Sequence, residues 1–394
     1  MNVTLIVADA PTASYAAVFT SNAFCGAPVT LGRRRMHEGL PLQALCINNK
    51  VSNVCAAGDG VADAETVCSA VAAALDLPGG SSSVLPSSTG VIGWKLPVDA
   101  MVKAVPDAVG DLQRDSLLPA AKGIMTTDRY PKLRSVEACG GRLVGIAKGA
   151  GMIEPNMATM LSFILTDLDV PRSELQRMLA AAADSSFNCM SVDADQSTSD
   201  TLVCISSATT PLKASRDQEA LAEFEGALRQ LCEELSGDVA RNGEGTSHVI
   251  RVRVSGSPTR EIARGVGKAV VNSPLFKTAV AGNDPNVGRL VGAVGSYLGR
   301  AAPELELGGV SMRLGGRTIF KQGSFDLDSE AEAELSAHLK QALITGEGGV
   351  SLPYPPHERC VEVEVELGNG DEAITVVGSD LTREYVDINA DYRS

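Results

Sequence analysis

The chain has 394 residues and a formal net charge of −14, with 44% hydrophobic and 21% charged residues. This composition predicts a folded globular protein with one two-lobed domain or two domains, and the negative charge argues against nucleic acid as a partner because phosphate backbones are repelled. Nine scattered cysteines without a CxxC pair argue against a disulfide framework or a structural zinc site, and they indicate reduced, mostly buried thiols.

Signals for targeting and for metal binding are weak. The four histidines share no ligand spacing, so we expect no metal site. The first residues, MNVTLIVADAPTAS, have no basic region and an apolar run too short for a signal peptide, and no stretch is long and apolar enough to span a bilayer. The sequence therefore predicts a cytoplasmic protein that binds neither membrane nor nucleic acid.

Short apolar runs separated by turn residues dominate the first half of the chain. Buried strands are predicted at Gln43–Asn48, Arg142–Ala147 and Leu161–Thr166. Val61–Leu75 is rich in alanine and has helical apolar spacing, which predicts a helix. Pro78–Ser88 is rich in proline, glycine and serine, which predicts a surface loop.

The second half continues the alternation. Helices are predicted at Ser173–Ala183 and at Asp217–Val239, where apolar residues recur at three- and four-residue spacing. Strands are predicted at Thr201–Ile205 and Val249–Val254. Thr345–Pro356 is rich in glycine and proline and predicts a second surface loop.

The C-terminal region carries a capped helix and a hairpin pattern. Ser329 is the predicted cap of a helix over Glu330–Leu343. Val361–Leu367 alternates strictly, and Gly368–Gly370 then predicts a hairpin turn into a strand at Ala373–Val377. The chain has no GxGxxG after its first strand, no GxxxxGK[ST] and no regular βαβ array, so an α+β fold with mixed sheets is predicted.

A small-residue segment at Leu85–Gly93, LPSSTGVIG, has two interpretations. Backbone N–H groups beside its glycine, together with the Thr89 hydroxyl, are the kind of donors that form an oxyanion hole. The alternative is an ordinary turn capped by serine and threonine, and composition alone favours that alternative.

The most informative segment is Lys148–Leu161, KGAGMIEPNMATML, in which a glycine- and proline-containing approach leads into a predicted buried strand. Such an approach can hold one side chain, that of Thr159, in a fixed place. A threonine hydroxyl is a weak nucleophile unless a base adjoins it, and its own α-amine, with a pKa of roughly 8, is a suitable base once the preceding bond is broken. The alternative is that the MAT tripeptide is only structural.

Seven motifs occur in order along the chain, and the likeness that they carry extends over nearly its full length. They are STGVIG at Ser88–Gly93, IMTTD at Ile124–Asp128, KGAGMIEPNMATML at Lys148–Leu161, STSDT at Ser197–Thr201, GEG at Gly243–Gly245, KAVVNSPLFKTAVAGNDPNVGR at Lys268–Arg289 and DLTREYVDINADYRS at Asp380–Ser394. On these motifs the chain resembles the ornithine acetyltransferase family, the bifunctional glutamate N-acetyltransferases of the acetyl-recycling arginine pathway.

The resemblance implies roles for particular residues. Thr159 would be the nucleophile both of self-cleavage between Ala158 and Thr159 and of acetyl transfer, and Thr89 and Gly90 would stabilise the oxyanion. A lysine suits an α-carboxylate, and a glutamate suits the ammonium of ornithine. The residues that match the family's substrate-binding positions are Thr126, Lys148, Thr159, Glu244, Asn389 and Ser394.

The resemblance also implies a fold and a mechanism. The fold would be α+β, two-lobed and layered, and residues 1–158 (α chain) and 159–394 (β chain) would stay together in an α2β2 heterotetramer because strands of both share sheets. Acetyl would pass from N2-acetyl-L-ornithine to Thr159 and then to L-glutamate in a ping-pong sequence, without a metal or organic cofactor. Acetyl-CoA would be an alternative donor, and a poorer one, because the acidic chain has a single basic run at Arg33–Arg35.

Three departures from the family's pattern lie outside the catalytic groups. Val287 stands where many relatives carry tryptophan, His248 stands where many carry lysine, and NNKVSN at Asn48–Asn53 replaces the commoner NSGNAN. These departures leave donor and acceptor preference open, and with it a specialised paralogue of secondary metabolism.

Two other classes of protein stay open. An autoprocessing N-terminal-nucleophile hydrolase or aminopeptidase would use water as the acceptor and would consume acetylornithine without glutamate. A catalytically silent metabolite-binding relative would show no cleavage, although Thr159, Thr89 and Glu244 are all retained.

Overall fold

The computed structural model describes residues 1–154, 160–211, 218–344 and 357–391. These residues form helices and mixed sheets in two compact units, so the predicted α+β class is confirmed. The first unit comprises Met1–Gly149, Glu154–Asn188 and Gln196–Ser236, and the second comprises Ala150–Ile153, Cys189–Asp195 and Gly237–Ser394.

The strands and helices follow most of the predicted positions. The strands of the described residues are β1 (Val3–Thr12), β2 (Tyr15–Phe19), β3 (Leu42–Asn48), β4 (Val84–Ser88), β5 (Lys132–Ala138), β6 (Gly141–Lys148), β7 (Leu161–Leu168), β8 (Met190–Ser191), β9 (Thr201–Thr210), β10 (Val249–Ser257), β11 (Ser311–Leu314), β12 (Arg317–Lys321), β13 (Ser324–Phe325), β14 (Val361–Glu366) and β15 (Glu372–Ser379). The helices are α1 (Ala27–Glu38), α2 (Gly60–Ala74), α3 (Val98–Gly110), α4 (Leu118–Gly123), α5 (Arg172–Ser185), α6 (Gln218–Arg241), α7 (Arg260–Val271), α8 (Pro274–Ala281), α9 (Val287–Ala301), α10 (Ser329–Gln341) and α11 (Arg383–Ala390). The predicted strands correspond to β3, β6, β7, β9, β10, β14 and β15, and the predicted helices correspond to α2, α5, α6 and α10.

A three-stranded sheet of the first unit has the order β1-β3-β4, with β4 parallel to β3. The prediction of a surface loop over Pro78–Ser88 is therefore wrong for its last five residues, which form the buried strand β4. Pro86 favours a loop in the sequence because proline cannot donate a hydrogen bond to a neighbouring strand. It is tolerated because β4 is an edge strand with a hydrogen-bonded neighbour on one side only.

A five-stranded sheet completes the first unit in the order β2-β9-β7-β6-β5. Strand β7 is parallel to β9 and antiparallel to β6. Strands β2, β5 and β6 precede residue 158, whereas β7 and β9 follow it. Two strands of the second predicted fragment, β9 and β7, would thus lie between β2 and β6 of the first within a single sheet.

Two apolar clusters make the first unit a layered structure. One lies between its two sheets and joins Leu45 and Leu85 to Phe163 and Val203. The other covers the opposite face of the three-stranded sheet, where Cys46 packs with side chains of α2 and α3. Leu45 and Cys46 face opposite layers because successive side chains of a strand alternate.

The second unit is built on a seven-stranded sheet in the order β13-β12-β11-β14-β10-β15-β8. The predicted hairpin between β14 and β15 is wrong, because β10 lies between them, parallel to β14 and antiparallel to β15. The glycine-rich connection crosses the end of β10 instead of turning back on itself. There the Asn369 N–H donates to the Gly256 carbonyl oxygen at 2.7 Å.

The N-terminus of α10 differs from the prediction by one residue. The cap is Asp328, whose carboxylate accepts the Ala331 N–H at 2.8 Å, and Ser329 is already the first helical residue. An aspartate is as good a cap as a serine, so the two could not be ranked by type.

The state of the cysteines and the hydropathy of the helices can be compared with the sequence. The nine cysteines, all within the described residues, are free thiols, and six of them are buried as predicted. None of the helices in the described ranges has the length and hydropathy that a membrane span requires. The predicted loop at Thr345–Pro356 lies outside the described residues.

Candidate active site

The first group of candidate residues lies where β3 and β4 end side by side. These strands are parallel and in register, with Asn48 opposite Ser88, so the segments that follow them leave the same edge of the sheet. Thr89 comes directly after β4 and is buried, and its N–H donates to the Asn48 carbonyl oxygen at 3.0 Å. The predicted oxyanion segment is therefore fixed by the neighbouring strand end.

Gly90 lies in this segment at a place where only glycine fits. Its φ angle is +123°, outside the range that side-chain-bearing residues adopt readily. A Cβ atom on Gly90 would lie 2.2 to 2.5 Å from the backbone C, O and Cα atoms of Lys50. Close approach to the Lys50 backbone thus requires a glycine in this loop.

Lys148 brings two of the predicted hydroxyl groups together. It is buried at the end of β6, and its Nζ donates to the Thr89 Oγ1 at 3.0 Å and to the Thr126 Oγ1 at 3.3 Å. An ammonium group can only donate, so both hydroxyl oxygens act as acceptors here and keep their hydrogens for another acceptor. The arrangement offers one ammonium and two oriented hydroxyl donors to a substrate oxygen.

Asp128 organises this group, although the sequence analysis gave it no role. Its Oδ1 accepts the Lys132 Nζ at 2.5 Å and the Gly149 N–H at 2.8 Å, and its Oδ2 accepts the Thr126 N–H at 3.0 Å. Burial would raise the pKa of Asp128, but Lys132 and Lys148 together with these hydrogen bonds lower it to about 2. The carboxylate is therefore charged at neutral pH. Its position at the end of the IMTTD motif was the available signal.

A second buried carboxyl group, that of Asp200, is in the opposite state. Burial raises its pKa well above the ordinary value, and this outweighs the Ser197 and Thr20 hydroxyls and the attraction of Lys148. Among the described residues its Oδ2 has no hydrogen-bond partner. Two carboxyls that both act on Lys148 thus have pKa values moved in opposite directions, a pattern typical of catalytic sites.

The second unit holds the other group of candidate residues. Glu244 is buried, its N–H donates to the Ala150 carbonyl oxygen at 2.8 Å, and its Oε2 accepts the Asn389 Nδ2 at 2.8 Å. A Cβ atom on Gly151 would come within 2.2 Å of the same Oε2. Gly151, in the KGAG motif, therefore leaves the space that the Glu244 carboxylate occupies.

Asp193 fixes Met152 and Ile153, the two residues that follow Gly151. Its carboxylate accepts the N–H groups of Met152 and Ile153, each at 2.7 Å, and the Tyr385 hydroxyl at 3.2 Å. Burial, followed by the charges of Asp193 and Glu244, raises the pKa of Tyr385. The GEG and C-terminal motifs thus meet in one acidic cluster of the second unit, suited to a cationic group.

A Ser247–His248–Asp380 cluster, also in the second unit, resembles a hydrolase triad only in composition. The Ser247 Oγ donates to the Asp380 Oδ2 at 2.5 Å and lies 3.1 Å from the His248 Nδ1. His248 is buried, with Nδ1 2.9 Å from Asp380 Oδ2 and Nε2 3.1 Å from the Leu339 carbonyl oxygen. In a Ser–His–Asp triad the serine and the carboxylate contact opposite ring nitrogens, whereas here both lie beside Nδ1, so this cluster joins strand ends and is not such a triad.

Three of the predicted residues, Ala158, Thr159 and Ser394, lie outside the described residues, and their roles stay predictions. The next described residue, Met160, accepts the Thr201 N–H at 3.0 Å through its carbonyl oxygen, at the start of β7. The predicted nucleophile is therefore joined directly to the strand that pairs with β6, the strand of Lys148.

The groups around Lys148 indicate a class of enzyme. A buried ammonium group, two hydroxyl donors and a glycine-dependent loop suit chemistry at a carbonyl group, in which negative charge develops on oxygen. In the part of the chain that the structure describes, no cluster of three or more His, Cys, Asp or Glu side chains could hold a metal ion.

Comparison with known proteins gives the family. The model of the ArgJ family matches residues 1–394, and the chain belongs to the ArgJ family. The arginine biosynthesis bifunctional protein ArgJ of Methylococcus capsulatus is 38% identical over 395 residues, covering 99% of this chain and 91% of the relative. The protein of the same name from Pseudomonas syringae pv. tomato is 37% identical over 388 residues, covering 97% and 89%.

Two solved structures are also similar. The arginine biosynthesis bifunctional protein of Bacillus halodurans is 32% identical with a TM-score of 0.49, covering 58% of this chain and 97% of that one. The ornithine acetyltransferase of Mycobacterium tuberculosis, solved in complex with ornithine, is 32% identical with a TM-score of 0.34, covering 40% and 84%.

Proposed function

We propose that the chain is a glutamate N-acetyltransferase of arginine biosynthesis that takes acetyl from N2-acetyl-L-ornithine and gives it to L-glutamate. Its family and its relatives, named arginine biosynthesis bifunctional proteins, support this proposal. The observation that carries it is the Lys148 ammonium group, which donates to the Thr89 and Thr126 hydroxyls and so places an oxyanion donor, Thr89, beside a carboxylate-binding donor, Thr126.

The first chemical step is self-cleavage, which frees the α-amine that serves as the base for the Thr159 hydroxyl. The Thr159 hydroxyl oxygen attacks the carbonyl carbon of Ala158, the C–N bond breaks, and the hydroxyl proton passes to the departing nitrogen. Water then hydrolyses the resulting ester. The products are a carboxylate on Ala158 and a free α-amine on Thr159, adjacent to its own hydroxyl.

Acetyl transfer then follows a ping-pong sequence. The Thr159 oxygen attacks the acetyl carbonyl of acetylornithine, and its proton passes through the α-amine to the amine of the departing ornithine. Thr89 and Gly90 stabilise the oxyanion. The glutamate amine next attacks the acetyl-threonine ester and returns a proton to the Thr159 oxygen, which restores the enzyme without a metal or organic cofactor.

Substrate binding is assigned to charged groups with matching chemistry. Lys148 and Thr126 bind the α-carboxylate, since an ammonium and a hydroxyl both donate to carboxylate oxygens. Glu244 binds the ammonium of the ornithine side chain, and Asn389 orients its carboxylate, as their 2.8 Å hydrogen bond supports. Ser394, the last residue, is included on the family resemblance.

The proposal extends to assembly, location and the second donor. The cleaved fragments stay together as an αβ pair, which the shared five-stranded sheet supports. Two such pairs form an α2β2 heterotetramer in the cytoplasm, as the family resemblance implies. Acetyl-CoA is the poorer donor, because Arg34 and Arg35 of the basic run both form ion pairs with Glu65. This pairing leaves less positive charge for phosphate groups.

A combined assay tests the proposal. The purified protein should run as fragments 1–158 and 159–394 on denaturing electrophoresis. It should release ornithine from acetylornithine over many turnovers only when glutamate is present, and without glutamate it should release at most one ornithine per Thr159. Thr159→Ala should stay uncut and inactive, whereas Thr159→Ser, which keeps a hydroxyl, should be cut. Acetyl-CoA in place of acetylornithine should lower kcat/KM more than tenfold. Repeated turnover of acetylornithine without glutamate would identify a hydrolase instead.

A further inference from the structure

Asn48, at the end of β3, makes three hydrogen bonds around the oxyanion segment. Its backbone carbonyl oxygen accepts the Thr89 N–H at 3.0 Å, and its side-chain Oδ1 accepts the Ser88 hydroxyl at 2.6 Å. Its Nδ2 donates to the Val51 carbonyl oxygen at 2.8 Å. The buried Asn48 therefore holds the Ser88 side chain through its own side chain and the Thr89 N–H through its backbone carbonyl.

The side chain of Asn49, the next residue, contacts a different loop, the one that leads into Thr126. Its Nδ2 donates to the carbonyl oxygens of Gly123 at 3.1 Å and Met125 at 2.9 Å, and its Oδ1 accepts the Asn2 N–H at 2.7 Å. The Met125 carbonyl and the Thr126 N–H belong to one peptide group. Asn49 therefore holds one polar atom of this group, and a carboxylate, that of Asp128, holds the other.

The two asparagines thus contact the residues directly before Thr89 and Thr126, whose hydroxyl groups both accept from Lys148. Adjacent residues of a strand end direct their side chains to opposite sides, which lets one dipeptide reach both loops. Asn48 and Asn49 are buried, so each amide needs its partners, and a lost bond is not replaced by water at little cost. NNKVSN, recognised only as a departure from the family's NSGNAN, contains both of them.

We propose that Asn48 and Asn49 are positioning residues with separate tasks: Asn48 sets the oxyanion donor Thr89, and Asn49 sets the carboxylate-binding Thr126. This inference rests on the proposed acetyl transfer. A donor that acts mainly on the charge developing in the transition state affects kcat, whereas a contact made equally to bound substrate affects KM. The two variants should therefore differ in which kinetic constant changes.

Steady-state kinetics with acetylornithine and glutamate test the division. Asn48→Ala should lower kcat on the order of 100-fold, the usual effect of a displaced oxyanion donor, with KM changed less than about threefold. Asn49→Ala should raise KM for acetylornithine about tenfold with kcat changed less than about threefold. Asn49→Ser, which is too short to reach both carbonyl oxygens, should act in the same direction.

Asn53→Ala is the matched control. Asn53 is buried in the same NNKVSN segment, but its Nδ2 donates to the Gly60 carbonyl oxygen at 2.8 Å, at the start of α2. It should lower the free energy of unfolding without changing kcat or KM beyond about twofold. If Asn48→Ala, Asn49→Ala and Asn53→Ala all lower kcat and raise KM to the same extent, the asparagines have a general structural role and the proposal is overturned.

Amide hydrogen exchange gives a readout that does not need activity. Asn48→Ala should speed exchange at Thr89, and Asn49→Ala should speed it at residues 123–126, each without affecting the other loop. Asn48→Ser, which buries no charge and supplies a hydroxyl, covers the case in which the alanine variant does not fold, and the same change in exchange is expected of it. A wild-type protein without acetyl transfer would refute the proposed function and leave this exchange test intact. Unchanged exchange in both loops would refute the positioning roles.

Discussion

At the scale of single residues, Gly90 offers the sharpest test of the oxyanion segment. Gly90→Ala would place a Cβ within 2.2 to 2.5 Å of Lys50 backbone atoms, which cannot rotate away as a side chain does. We expect kcat for acetyl transfer to fall on the order of 100-fold or more, because the loop must move and its donors with it. Steady-state kinetics on folded protein, checked by circular dichroism, measure this.

Gly93 provides the matched control within the same loop. It also has a positive φ angle, +87°, but a Cβ there would meet no atom within 4 Å. Gly93→Ala should therefore cost only about 1 kcal/mol of backbone strain and leave kcat within about threefold. Similar kinetics for the two alanine variants would place the oxyanion donors elsewhere.

Asp128 links the site to the acid stability of the chain. Its pKa is lowered to about 2, so the folded state binds a proton less readily than the unfolded state. Its contribution to the free energy of unfolding is therefore complete above about pH 4, the ordinary pKa of an aspartate, and declines as the pH falls toward 2. Asp128→Asn should cost about 3 kcal/mol at pH 7, because Lys132 is left buried without its carboxylate.

Urea unfolding at several pH values measures this effect. The difference between wild type and Asp128→Asn should shrink between pH 4 and pH 2. Asp128→Asn combined with Lys132→Met should recover part of the loss, since no uncompensated charge is then buried. A difference that stays constant over this pH range would show that the cost comes from packing and not from the charge.

At the scale of elements, the cap of α10 can be assigned by mutation. Asp328→Ala removes the acceptor of the Ala331 N–H and should lower the free energy of unfolding by about 1 kcal/mol. Ser329→Ala should change it by less than about half of that, since Ser329 lies within the helix. Thermal or urea unfolding of both variants decides between them. A larger effect at Ser329 would restore the cap predicted from the sequence.

The elements that the sequence predicts well are those with a local pattern. Val361–Glu366 alternates valine and glutamate, and in the structure each valine is buried while each glutamate is partly exposed. Which strand lies beside β14 depends on β10, more than a hundred residues away, and no local pattern encodes it. The strand β4 was missed for the same reason, since its partner β3 decides its conformation.

The candidate site divides in a similar way. Thr89, Thr126 and Lys148 were predicted from motifs, and the structure brings their side chains into contact. The residues that hold them were not predicted, because their bonds join distant parts of the chain: Asn49 and Met125 are 76 positions apart. Family motifs indicate which groups react, whereas the supporting hydrogen bonds become visible only with the fold.

At the scale of the whole molecule, the five-stranded sheet predicts how the cleaved protein behaves. In this sheet β9 and β7 of the C-terminal fragment lie side by side, between β2 and β6 of the N-terminal fragment. Fragments 1–158 and 159–394 should therefore co-elute in size-exclusion chromatography without denaturant. Each fragment expressed alone should be insoluble or unfolded. The pairs β2–β9 and β6–β7 are then missing, and their strands expose unpaired edges. A folded, monomeric single fragment would contradict this.

The pairing of β2 with β9 has a kinetic consequence. Tyr15 lies opposite Ile205, so this sheet can close only after more than two hundred residues have been synthesised. If cleavage needs the assembled site, the intact precursor is the species that folds, in a first-order reaction. Once cut, the same sheet can re-form only by collision of two chains, at a rate that depends on their concentration. Denaturation of the mature protein at high dilution should then show hysteresis, whereas the uncut Thr159→Ala chain should refold along the curve by which it unfolded.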